Sequence, residues 1–187
     1  MNKILVSCIV VFFGLISCKD SYKGLDKVDI AKAYYRSLNA SEGSERFNWF
    51  ADSLTVKEGI YEVHYSWDEY QEFLKWDAVF EPSYEVLKIM EQDDVVKALV
   101  LKTDQRILFL NEKPMVTKQL MRFNGDKIIS VETAYVKFDY KTWDINKNAL
   151  LSWIAENHPE LNGFINDQTE VGGQKYAKAI ALYQSRK

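Results

Sequence analysis

The stretch M-V-T-K-Q-L-M-R-F-N-G-D-K-I-I-S-V-E-T-A-Y-V, Met115 to Val136, decides the fold. Apolar and polar residues alternate on both sides of N-G-D, and that triplet is a strong hairpin signal. Met115–Phe123 and Lys127–Val136 are therefore predicted as antiparallel strands. The same period of two governs Ser83–Met90 and Val95–Lys102, the latter read as running on through R-I-L-F-L, Arg106 to Leu110. Turns are expected at Glu91–Asp94 and Asn111–Pro114. Four sequential strands joined by short turns predict an antiparallel meander.

Helical spacing flanks the meander. Asp26 is placed to cap a first helix whose Ile30, Ala33, Tyr34 and Leu38 share a face, ending near Asn39. A second helix is expected from Ser44, with Phe47, Phe50, Ala51 and Leu54 on one side, then a short strand over Ser53–Glu58. I-Y-E-V-H-Y, Ile60 to Tyr65, fits either state. Ser66 and Glu69 form a capping box that opens a third helix, with Tyr70, Phe73 and Leu74 inward and Pro82 forbidding continuation. Near the C-terminus Leu150, Leu151, Ile154 and Ala155 make a helical face before His158-Pro159. A last helix, with Tyr176, Ala177, Ile180 and Tyr183 aligned, is expected after Gly172-Gly173.

This order, with F-A-D-S-L-T-V (Phe50 to Val56) and the F-N-G-D-K-I-I-S-V hairpin (Phe123 to Val131), resembles the NTF2-like superfamily, which includes SnoaL-type proteins and ketosteroid isomerases. In the hairpin, Gly and Asp are exchanged relative to the common F-x-D-G-K-I pattern. The likeness covers roughly Asp26 to Val136. It implies an α+β cone: N-terminal helices packed on a curved antiparallel sheet over residues 26–138, with a helical C-terminal extension at 139–187. In relatives the conical cavity binds small hydrophobic molecules. Residues after Phe138 would cover the sheet, line the cone mouth or form a homodimer contact.

Candidate site residues are few. His64 has a suitable intrinsic pKa for a general base, but a lone strand or loop histidine is the commoner case. Asp52 would act either in catalysis or as a backbone cap. The resemblance places Tyr34 towards the cavity, where isomerases use a tyrosine on a developing oxyanion, but no clear aspartate pair matches on the third and fourth strands, and core packing is the commoner role for such a tyrosine. Alternation puts Met115, Thr117, Gln119 and Met121 on one strand face; inward, Thr117 and Gln119 would orient a ligand, and outward, Val116 and Leu120 would form the core. Both orientations fit. The expected ligand pocket comprises Tyr34, Trp49, His64, Thr117, Gln119 and Met121. His64 and His158 stand far apart, and neither a phosphate-binding glycine loop nor a serine elbow is present, so no metal or cofactor is expected.

The N-terminus concerns location. Lys3 followed by the apolar run Ile4–Ile16 reads as a signal peptide, residues 1–17, too short to span a bilayer. Leu15-Ile16-Ser17-Cys18 resembles a bacterial lipobox, which implies cleavage before Cys18 and a diacylglycerol on its sulfur. Residues 18–25 then read as a tether. Lys19-Asp20 resembles in part the surface-export signal of some Gram-negative lipoproteins, which points to the outer membrane. Cys8 falls in the leader, leaving no thiol chemistry. With 24 basic and 27 acidic residues and a net charge of −3, nucleic acid is not an expected partner. The combined expectation is a lipid-anchored envelope protein that binds a small apolar molecule or another envelope protein without catalysis. The alternatives are an isomerase- or cyclase-like enzyme using the cone, and an assembly factor working through surface aromatics.

Overall fold

A computed structural model of the protein describes residues 26–39 and 49–186, the Lys137 side chain excepted. The leader, Cys18, the tether and the start of the expected second helix at Ser44 lie outside the described residues. Among the described residues five helices and six strands follow one another: α1 (Lys27–Asn39), β1 (Phe50–Glu58), β2 (Tyr61–Ser66), α2 (Trp67–Ala78), β3 (Ser83–Gln92), β4 (Val95–Thr103), α3 (Gln105–Asn111), β5 (Met115–Asn124), β6 (Lys127–Lys137), α4 (Tyr140–Asn157) and α5 (Glu170–Ser185). Two single turns of 3-10 helix, Pro159–Leu161 and Phe164–Asn166, link α4 to α5.

The strands form one sheet in the order β2-β1-β6-β5-β4-β3. The meander β3 to β6 is antiparallel throughout, as expected. The sheet as a whole is mixed, because β1 runs parallel to β6. The expected helix through Phe50, Ala51 and Leu54 is corrected to strand: these residues open β1, where Phe50 and Leu54 bury their side chains. Two apolar residues four apart serve either state, and here pairing selected the strand: Phe50 with Ile128 of β6 and Leu54 with Tyr65 of β2. The ambiguous Tyr61–Tyr65 segment is also strand, hairpinned to β1 through Gly59, whose φ of +60° suits the tight turn.

Caps fix the helix starts. Asp26 Oδ1 accepts from Val28 N–H at 2.8 Å, and the Ser66–Glu69 capping box is complete. The expected continuation of β4 through R-I-L-F-L is corrected to a helix. Asp104 Oδ1 accepts from Ile107 N–H at 2.5 Å, which caps α3 and ends the strand. Gly172 and Gly173 lie inside the first turn of α5, not before it, because Thr169 is the cap.

Two cores result. In the first, α1 packs on β3 and β4 and α2 on β1 and β2, gathering Ile30, Tyr34, Tyr35, Phe50, Tyr70, Val100 and Met121 inside the sheet. In the second, α4 and α5 pack on α2 and α3 around Trp76, Phe80, Leu110, Ile154, Phe164 and Tyr176. The α2 helix serves both, since Tyr70 lies in the first core and Trp76 in the second.

Candidate functional site

The interior of the cone is aromatic with a few polar points. Three tyrosines are drawn in by helix periodicity: Tyr34 and Tyr35 from α1 and Tyr70 from α2, each at most 5% exposed. The Tyr34 and Tyr70 hydroxyls lie 3.0 Å apart, and Tyr35 donates to Gln119 Oε1 at 2.8 Å. Phe50 closes against Tyr34 and Tyr70 edge-on, and Tyr65 and Phe73 continue the cluster. Burial pushes the Tyr34 hydroxyl up to about 12 against the opposing bond from Tyr70. Burial likewise raises Tyr35 and Tyr70. These are proton donors held neutral.

The expected site residues divide accordingly. Met115, Thr117 and Met121 face the interior, which resolves the orientation of that strand, and half-buried Gln119 meets Tyr35. Thr117 Oγ1 donates to Val100 O at 3.5 Å. Trp49 is half-buried against the same core as Tyr34 and Met121. His64 is not brought to them. It is exposed on β2, its Nδ1 2.9 Å from Thr55 Oγ1 and its Nε2 3.5 Å from Glu62 Oε1. Asp52 is exposed on β1. Strand alternation explains both positions: β2 lies at the sheet edge, and His64 stands one residue out of phase with inward Tyr65. Among the described residues, no group of three or more His, Cys, Asp or Glu is placed to hold a metal.

A second polar cluster, between the two cores, was not anticipated from the sequence. Asp77, in the last turn of α2, accepts from Lys102 Nζ at 2.7 and 3.0 Å and from the Tyr84 hydroxyl at 2.7 Å. Lys102 lies 3.8 Å from Asp104 Oδ2, which Arg106 also approaches at 3.5 Å. The Arg106 guanidinium stacks over Trp76 and Phe80, 4.7 and 5.2 Å from their ring centroids. Burial pushes the Asp77 carboxyl up, but Lys102, Arg106 and the hydrogen bonds outweigh it and hold it below the ordinary range. Two acids face two bases, so the cluster is charge-balanced. It joins α2, β3, β4 and α3 and has the character of a structural network. The signal was present in the helix spacing. Tyr70, Phe73, Leu74 and Asp77 fall at i, i+3, i+4 and i+7, which places an acid on the buried face.

No family sequence model matches the chain, and no curated protein does. Solved structures do. The epoxide hydrolase/cyclase-like enzyme SalBIII, described in pyran ring formation in the polyether salinomycin, superposes with a TM-score of 0.51 at 16% identity, covering 58% of this chain and 89% of that one. A candidate ketosteroid isomerase from Kribbella flavida gives 0.50 at 12% identity, covering 60% and 79%. An NTF2-like protein of unknown function from Cytophaga hutchinsonii gives 0.46 at 14%, covering 59% and 89%. Identities this low speak to architecture. The chain has the cone fold of SalBIII and of the Kribbella flavida protein, an α+β arrangement of helices on a curved sheet, extended by a C-terminal helical layer.

Proposed function

We propose that this protein is a lipid-anchored envelope protein whose cone takes up a small apolar molecule without transforming it. The observation that carries the binding half is the composition of the interior. Aromatic walls surround a few neutral polar points, the Tyr34–Tyr70 pair and the Tyr35–Gln119 bond, and this is the pattern of sites that bury apolar ligands and orient them by single hydrogen bonds. The carboxylate whose field reaches both Tyr34 and Tyr70 is Asp77, and it is committed to Lys102 and Tyr84. The anchoring half rests on Leu15-Ile16-Ser17-Cys18 and the apolar run before it.

Binding is tested with 1-aminoanthracene, an uncharged apolar fluorophore, titrated into the Cys18→Ser chain. Saturable uptake that Gln119→Trp abolishes, with circular dichroism unchanged, is expected; absence of saturation sinks the binding half. For the anchor, Cys18→Ala should abolish acyl labelling and release the protein from membranes, and an unchanged membrane fraction refutes it.

An isomerase- or cyclase-like reading draws on the Tyr34–Tyr70 pair, which is built to donate to a developing oxyanion. It requires a proton acceptor at the same spot, and His64 and Asp52 are both exposed on strands instead.

A further inference from the structure

The two edges of the sheet are treated differently. At the β3 edge, Asn39 of α1 bonds the Tyr84 backbone twice: Nδ2 donates to Tyr84 O at 2.9 Å and Oδ1 accepts from Tyr84 N–H at 2.7 Å. A bulge between Val86 and Lys88 interrupts the same strand. Both devices blunt an edge against further pairing. The β2 edge is regular. All six residues pair with β1 in unbroken register, and Ile60, Tyr61 and Val63 expose 92%, 73% and 43% of their surface.

The β2 stretch Y-E-V-H-Y, Tyr61 to Tyr65, is symmetric about Val63 in its apolar positions and complementary in its polar ones, an acid at 62 and a base at 64. We propose that β2 pairs antiparallel with β2 of a second copy of this chain, the two-fold axis passing through Val63. In that register Tyr61 lies opposite Tyr65 of the second copy, Glu62 opposite its His64, and Val63 opposite its Val63. Alternation places the tyrosines and valines of both strands on one face, forming an unbroken apolar stripe. On the other face the two glutamates and two histidines stand at the corners of a square. Each Glu62 then has a histidine along its own strand, at 3.5 Å already, and another across the interface. Other registers are worse. A one-residue slip sets the polar face of one strand beside the apolar face of the other. Centring on residue 62 puts Glu62 against Glu62, and centring on residue 64 puts His64 against His64, like charges when the histidines are protonated. A single pair of short strands covers less than the ~800 Å² per partner of a standard interface, so the dimer is concentration-dependent. The proposal stands on the edge alone and is independent of what the cone binds.

The test uses the full chain with Cys8 and Cys18 replaced by serine. Cα atoms facing across an antiparallel dyad are ~4.5–5.5 Å apart, within disulfide range. Val63→Cys should therefore form a covalent dimer under mild oxidation, while Glu85→Cys on the opposite edge should not. In sedimentation equilibrium, Glu62→Lys should weaken the dimer about tenfold, two cross-strand pairs being lost by symmetry. The double exchange Glu62→His with His64→Glu should restore it. Both charge positions are exposed, so these variants keep the test valid if Val63→Cys fails to fold. A protein that stays monomeric up to roughly 1 mM, cross-linking no faster at position 63 than at 85, or a dimer indifferent to Glu62→Lys each overturns the proposal.

Discussion

Lys102 Nζ lies 2.7 Å from Asp77 Oδ1, and the contact ties the last turn of α2 to β4 at the seam between the two cores. Asp77 is 3% exposed, so water does not share its charge. Replacing a buried ion pair with apolar groups can be neutral, but removing one partner strands the other. Lys102→Met leaves Asp77 buried with Tyr84 and the more distant Arg106. We expect a loss of about 3 kcal/mol in urea unfolding, most of it recovered in the double variant Lys102→Met, Asp77→Leu. A single variant as stable as the parent would show that the cluster is not the clasp described here.

The same carboxylate contributes to the acid limb of stability. Its folded pKa lies below the ordinary 3.8, so it binds fewer protons folded than unfolded. The contribution is complete above the unfolded value and is lost as pH falls below about 4, through the lower folded value. Asp77→Asn should therefore flatten the stability curve below about pH 4. An unchanged acid slope would assign acid unfolding to other carboxylates.

The buried tyrosines govern the alkaline limb. Tyr34 and Tyr176 are pushed by burial to about 12, and Tyr70 and Tyr84 well above 10. Their protonated form is favoured in the fold, so stability is complete below pH 10 and declines as the unfolded state ionises above it. Phenolate absorbance should show Tyr34, Tyr35, Tyr70, Tyr84 and Tyr176 appearing together as the protein unfolds. Titration of these five near 10 in the folded protein would contradict the packing.

Local signals read well and long-range ones did not. The Ser66–Glu69 cap, the N-G-D hairpin and the alternation of β3 to β6 need only neighbours in sequence, and all are present. Phe50 and Leu54 fit a helix face equally well, and strand pairing decided them: Phe50 with Ile128 of distant β6, and Leu54 with Tyr65 of β2. Asp104 was hidden because apolar R-I-L-F-L continues a strand pattern, and the cap that ends it is a single side chain. In the cone, Tyr34 was anticipated, but its bond to Tyr70 and that of Tyr35 to Gln119 depend on how α1 and α2 settle on the sheet. His64 sits as the exposed strand histidine that its isolation suggested, and its place in the expected pocket fails because β2 is an edge.

The two glycines of α5 give the sharpest packing test, because their neighbours differ. A Cβ on Gly172 would overlap the backbone oxygen and the side chain of Asp167. Asp167 Oδ1 also accepts from the Thr169 hydroxyl at 2.6 Å, and Thr169 caps the helix, so that turn cannot retreat without disturbing the cap. A Cβ on Gly173 would sit 3.1 Å from Trp76 Cδ1 and Trp76 O and 3.2 Å from Val79 Cγ2, a tight fit on α2 that needs a shift of only tenths of an ångström. Alanine gains about 1 kcal/mol of helix propensity over glycine at either position. Overpacking costs about 1–3 kcal/mol. The balance predicts that Gly173→Ala is close to neutral and that Gly172→Ala is destabilising by about 1–2 kcal/mol. Urea midpoints of the two variants decide it, and a Gly172→Ala protein as stable as the parent would mean that the Asp167 turn yields and that α5 does not depend on this close approach.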